Sequence, residues 1–201
     1  MSGALQSIVS KLLSREPELY PAEEWDELLD IRIAKLTFGD GSGQGASFAL
    51  AFKAGLHLWN DSLDASHTLS QSIETPTGSY WHGIMHRMEG DYSNAKYWFH
   101  QVRSHPVYGR LWHAVRSYWE QGGAAAANGI ASVRLRSMLE RLVEGASWDP
   151  YLFVDLVENQ VSISRDPAAE TVLRRLQRLE MGLLLEYCWE QIGGGTSLEF
   201  G

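Results

Sequence analysis

A chain of 201 residues, 44% hydrophobic and 21% charged, has room for one sizeable core and the composition of an ordinary globular protein. Its formal net charge is −8, with the acidic excess in both halves (7 basic against 13 acidic residues over 1–100, 10 against 12 over 101–201). That balance excludes a general binder of nucleic-acid backbones, which neutralises phosphates with clustered cations.

The start, MSGALQSIVSKLLSREPELYP, lacks an apolar run of signal-peptide length, and no stretch approaches the ~20 apolar residues of a membrane span. The single cysteine, Cys188, rules out a disulfide framework within one chain. A cytoplasmic protein with neither nucleic-acid nor membrane partners is expected, folded as one domain over 1–201.

Nearly all periodicity is helical. Leu5, Ile8, Val9, Leu12 and Leu13 form the apolar face of a first helix. PAEEWDELLDI (21–31) reads as a second, opened by Pro21 with carboxylates in its first turn. The glycine-rich FGDGSGQG (38–45) lacks the Lys-Ser/Thr of a phosphate-binding loop and reads as a connector. Helices are expected over about 47–59, 62–74, 78–89, 91–103 and 107–120, followed by QGGAAAANG (121–129) as a flexible loop. IASVRLRSMLERLVEG is a further helix, and Asp149-Pro150 and Asp166-Pro167 each give an N-cap followed by N1. The last helix carries Val172, Leu173, Leu176, Leu179, Leu183, Leu184 and Tyr187 on one face, a stripe suited to the domain's own core or to a homodimer seam over 166–191. GGGTSLEFG (193–201) reads as a frayed tail. Strand alternation is approached only at IRIAKLTF (31–38), so the fold class is all-α: a compact, repeat-like bundle of stacked helical hairpins with a long C-terminal helix.

NDSLDASHTL (60–69) laid over GDYSNAKYWF (90–99) matches Asp61 with Asp91, Ala65 with Ala95 and Leu69 with Phe99, at a constant offset of 30. The second copy, Gly90-Asp91-Tyr92-x-x-Ala95-x-x-x-Phe99 with Pro106 beyond it and Gly83 seven residues before it, resembles a tetratricopeptide repeat, although that family's period is 34. The resemblance spans residues 46–106 and is strongest over 83–106. It implies helical hairpins packed closely at Gly83 and Ala95, a protein or peptide partner, and a groove lined near Tyr80, Ile84 and Arg87. Tyr80, Arg87, Asn94 and Trp98 are the candidate contacts for a protein, peptide or small-molecule ligand.

The sequence departs from that repeat at His82 and His86, whose equivalents 30 residues earlier are Phe52 and Leu56. An imidazole facing a helix interface needs partners for its ring nitrogens. His82, His86 and Glu89 stand at i, i+4 and i+7, within about 60° on one helix face. Asp64, His67 and Gln71 share a face of the preceding helix. His67, His82, His86 and Glu89 thus form a candidate set for a divalent metal such as zinc, with Glu89 or Asp64 as general base if the centre is hydrolytic. The same residues could instead be a buried polar network fixing helix register. His57 could extend this face, whereas His100, His105 and His113 read as surface or helix-end residues. Arg87 is expected to pair locally with Glu89 or Asp91, and Cys188 to be buried and inert. Two functions follow: a helical-repeat-like binding protein, or a metal-dependent hydrolase with its site between helices 62–74 and 78–89.

Overall fold

A computed structural model describes residues 3–38, 44–195 and 197–200, and the described residues contain α-helices and no strands. Most of the glycine-rich connector, 39–43, lies outside them. The helices are α1 (Gly3–Leu13), α2 (Glu27–Ala34), α3 (Gln44–Trp59), α4 (Leu63–Ser70), α5 (Pro76–Glu89), α6 (Tyr92–Val102), α7 (Val107–Tyr118), α8 (Ala124–Ala127), α9 (Val133–Glu144), α10 (Pro150–Asn159) and α11 (Pro167–Gln191). Among the described residues no helix is long and apolar enough to cross a membrane.

Local chemistry sets most boundaries. Thr75, Asp91, Ser132, Asp149 and Asp166 each cap the helix that follows by accepting backbone N–H groups, and Pro76, Pro150 and Pro167 stand at the first helical positions. Gly90 ends α5 at φ +86°, a left-handed conformation that glycine adopts without Cβ strain. The second helix starts later than Pro21 suggests: Asp26 Oδ1 accepts from Leu29 N at 2.7 Å, and the helix begins at Glu27. That helix also covers the first half of 31–38, the stretch closest to strand alternation, and no strand forms in the remainder.

From α3 to α6 each helix packs on the next, and α11 lies across this layer against α3 and α7. Gly55 on α3 permits the crossing: a Cβ there would stand 2.4 Å from the Trp81 ring and 2.8 Å from Leu185. The apolar stripe of α11 is used inside the chain, with Val172, Leu173, Leu176 and Leu184 fully buried.

Two segments depart from expectation. Residues 121–129 are partly helical: a wide π-turn over Trp119–Gly123 leads into α8. The segment after α11 is packed, not frayed. Leu198 and Phe200 are buried, and Phe200 lies against Trp59 with ring centroids 4.7 Å apart.

Candidate metal centre between α4, α5 and α6

The hairpin of α5 and α6 brings histidine together with aromatic and amide groups. Gly83 allows the close approach, since a Cβ there would sit 3.2 Å from the Phe99 ring of α6. On the flank of this contact, His82 and His86 project one turn apart from α5. His67 meets them from α4, while Asn94 and Trp98 meet them from α6.

The three imidazoles form one group. One nitrogen from each of His67, His82 and His86 lies within 4.8 Å of the other two. His82 stacks on His86 at 4.6 Å and 17°, and on Trp98 at 4.0 Å and 13°. His67 stands edge-on to His82 at 4.9 Å and to His86 at 5.6 Å. His82 and His86 are buried, and His67 is half-buried.

His86 is partnered at both nitrogens. Nδ1 bonds the Glu89 carboxylate, and Asn94 Nδ2 lies 3.0 Å from Nε2. Because the amide N–H can only donate, Nε2 is the acceptor and Nδ1 carries the proton toward Glu89. His82 differs. It is 3% exposed, yet neither ring nitrogen has a hydrogen-bond partner. Burial first, and then the neighbouring His86 and His67, push its pKa down to about 4, so the ring is neutral at pH 7. A buried neutral imidazole with an idle N–H and an idle lone pair is a costly arrangement for packing alone.

The other candidates divide clearly. Glu89, Asn94 and Trp98 reach the histidine group. Asp91 joins His86 and Glu89 in a second potential ligand set, but its carboxylate already caps α6, and the Asn94 N–H leads the bonds that hold its pKa low. Asp64 does not join. It is exposed and lines a separate acidic cavity of about 360 Å³ with Asp30 and Asp61. His57 also faces elsewhere, bonding Asp30 through Nδ1 at 2.6 Å.

Tyr80, Ile84 and Arg87, expected along a groove, are fully buried in the core. Arg87 pairs with neither Glu89 nor Asp91. Its Nη2 reaches Glu180 Oε2 on α11 at 2.6 Å and Gln177 Oε1 at 3.3 Å, and its guanidinium lies 4.5 Å from the Phe153 ring centroid. The Tyr80 hydroxyl donates to the other oxygen of Glu180 at 3.1 Å, and burial, then that carboxylate, raises the Tyr80 pKa. His105 is also interior, not a surface residue: Val107 N–H donates to its Nδ1 at 3.2 Å, and its Nε2 lies 3.1 Å from Thr77 Oγ1. Cys188 is buried, and burial raises its pKa to about 12, in keeping with an inert thiol.

Sequence reasoning missed Glu180. One signal was present, because Glu180 stands four residues from both Leu176 and Leu184, inside the apolar stripe of α11.

Comparisons of the chain with protein-family models, curated proteins and solved structures found no match.

Proposed function

We propose that this protein binds a divalent transition metal of the zinc type through His67, His82 and His86. The observation that carries the reading is His82, buried and neutral with both ring nitrogens unpartnered beside two further imidazoles. A polar network, the alternative for these residues, accounts for His86 and Glu89 but gives His82 nothing to bond.

The donor set fits. Neutral imidazole is the ligating form, and three such ligands leave the ion its full charge and a further coordination position. Zn–N bonds of about 2.1 Å in a tetrahedron put the nitrogens about 3.4 Å apart, against separations of up to 4.8 Å in the present group, and binding through His86 Nε2 requires Asn94 Nδ2 to leave that nitrogen. Glu89 would orient His86 through Nδ1, the carboxylate–histidine pairing common around bound metals. Bound zinc would supply Lewis acidity and an acidic water. Glu89 is the only carboxylate of the proposed base pair beside the group, and its bond to His86 gives it an orienting role. The chain is therefore read first as a metal-binding protein. The repeat-like packing of α3 to α6 is compatible with the tetratricopeptide resemblance, but a groove at Tyr80 and Arg87 has no support, since both side chains lie in the core.

The test is elemental analysis of purified, tag-free protein, with cobalt(II) absorption as a second readout. About one equivalent of metal per chain, lost in a His82→Ala/His86→Ala double variant that remains helical, is the expected result. A parent that takes up neither zinc nor cobalt overturns the proposal.

A further inference from the structure

We infer that the cleft between α9 and α10 is a binding site for a small amino-dicarboxylate, a molecule with two acid groups and one ammonium, of the size of an acidic dipeptide.

The cleft follows from how the two helices pack and end. Arg134, Met138 and Arg141 stand at i, i+4 and i+7 on one face of α9. Leu152, Asp155 and Asn159 stand at i, i+3 and i+7 on α10, with Glu158 beside them. These side chains line one cavity of about 580 Å³, within the size range of small-molecule sites. At its end α10 widens into a π-turn over Gln160–Ser164, which Arg165 closes in a left-handed conformation at φ +47°. Turns of this kind are rare and recur at functional sites.

The polar groups of the cleft are left open. Asn159 lines it while only 5% exposed, and its Oδ1 accepts from Ser164 Oγ at 2.8 Å. Among the described residues nothing accepts its amide N–H groups. Amides this deeply buried are normally satisfied, and a ligand oxygen in the cleft would satisfy this one. The guanidinium groups of Arg134 and Arg141 likewise form no ion pair or hydrogen bond with a described residue, although two carboxylates line the same cavity.

The charges select the class of ligand. Lys96 of α6 engages Asp155 at 2.5 Å, whereas Glu158 has no cationic partner among the described residues. Two open guanidiniums and one open carboxylate are complemented by two acid groups and one ammonium. An arginine holds a carboxylate through two parallel N–H bonds. Seven residues of helix set the two arginine Cα atoms about 10 Å apart, a span that their long side chains and an acidic dipeptide bridge together. Met138 and the buried Leu152 give the methylenes of such a ligand an apolar wall.

The experiment titrates the full chain with glutamylglycine and with glutarylglycine, which keeps both acid groups and lacks the ammonium, and follows backbone amide shifts by NMR. The dipeptide is expected to shift amides of α9, α10 and the π-turn, and to bind about tenfold or more tighter than glutarylglycine. Arg134→Ala/Arg141→Ala replaces two exposed side chains, and is expected to stay folded while losing about tenfold or more in affinity. Glu158→Gln is expected to abolish the preference for the ammonium. Equal binding of glutarylglycine or inorganic phosphate by the parent would reduce the cleft to a general anion patch and overturn the proposal. So would the absence of shifts at about 10 mM dipeptide, or an affinity that the double variant leaves unchanged.

Discussion

The rings of His82 and Trp98 lie face to face, 4.0 Å apart and 13° from parallel, so His82 makes the contacts of a core aromatic while carrying two idle polar atoms. Phe52 occupies the corresponding position 30 residues earlier. His82→Phe is accordingly expected to stabilise the metal-free protein by about 1–2 kcal/mol, the cost of an unsatisfied buried polar group. In zinc at a hundred times the dissociation constant the order should reverse, because the parent gains about 2.7 kcal/mol from binding and the variant gains nothing. Urea unfolding with and without zinc measures both. A variant less stable than the metal-free parent would show that His82 is satisfied by something other than a metal.

Glu89 holds His86 by the nitrogen opposite the one that faces Asn94. Glu89→Gln keeps the shape and removes the charge, and is expected to weaken metal affinity by about 10–100-fold while leaving stoichiometry unchanged. Cobalt titration against a competing chelator reads the difference. An unchanged affinity would remove Glu89 from the site.

Arg87 and Glu180 form an ion pair with both side chains fully buried. Glu180→Ala leaves Arg87 charged and unpaired in the core and is expected to cost about 3–5 kcal/mol. The double replacement Arg87→Met/Glu180→Leu should recover most of that loss. Denaturant midpoints of the parent, the single variant and the double variant decide it. Equal losses in the single and double variants would mean that shape, not charge, sets the energetics there.

His105 gives the chain a pH dependence of definite sign. Burial lowers its pKa to about 4 in the folded protein, against about 6.5 unfolded. Between those values the unfolded chain takes up a proton that the folded one refuses. Stability is therefore full above pH 6.5 and falls as the pH drops toward 4, by up to roughly 3 kcal/mol. In the metal-free protein His82 acts in the same direction. His105→Gln retains hydrogen-bonding capacity without the titration and should flatten the profile. Unfolding midpoints at pH 7, 5.5 and 4.5 test this, and an unaltered slope would count against it.

What the sequence conveyed was mainly local. The Asp-Pro pairs at 149–150 and 166–167 mark helix starts because cap and first turn are adjacent in the chain, and the spacing of His82 and His86 fixes a shared face whatever surrounds it. Where two local signals compete, reading fails: Pro21 fits a first helical turn, yet Asp26 supplies the cap. The alanines of 124–127 are strong helix formers, which their low complexity obscured. Partners distant in the chain were not legible. Nothing beside Arg87 announces Glu180, nothing beside Leu198 announces Glu186, and Asp64 shares a helix face with His67 in outline while opening onto another surface.

The pairing of Arg87 with Glu180 also bears on the order in which the protein can be completed. During synthesis the α5 guanidinium leaves the ribosome 93 residues before its counter-ion. Until α11 emerges, a tightly packed α5 would enclose a cation with nothing to neutralise it. The earlier helices must therefore wait in a loose, hydrated association, and it is the arrival of α11 that turns them into a solid interior.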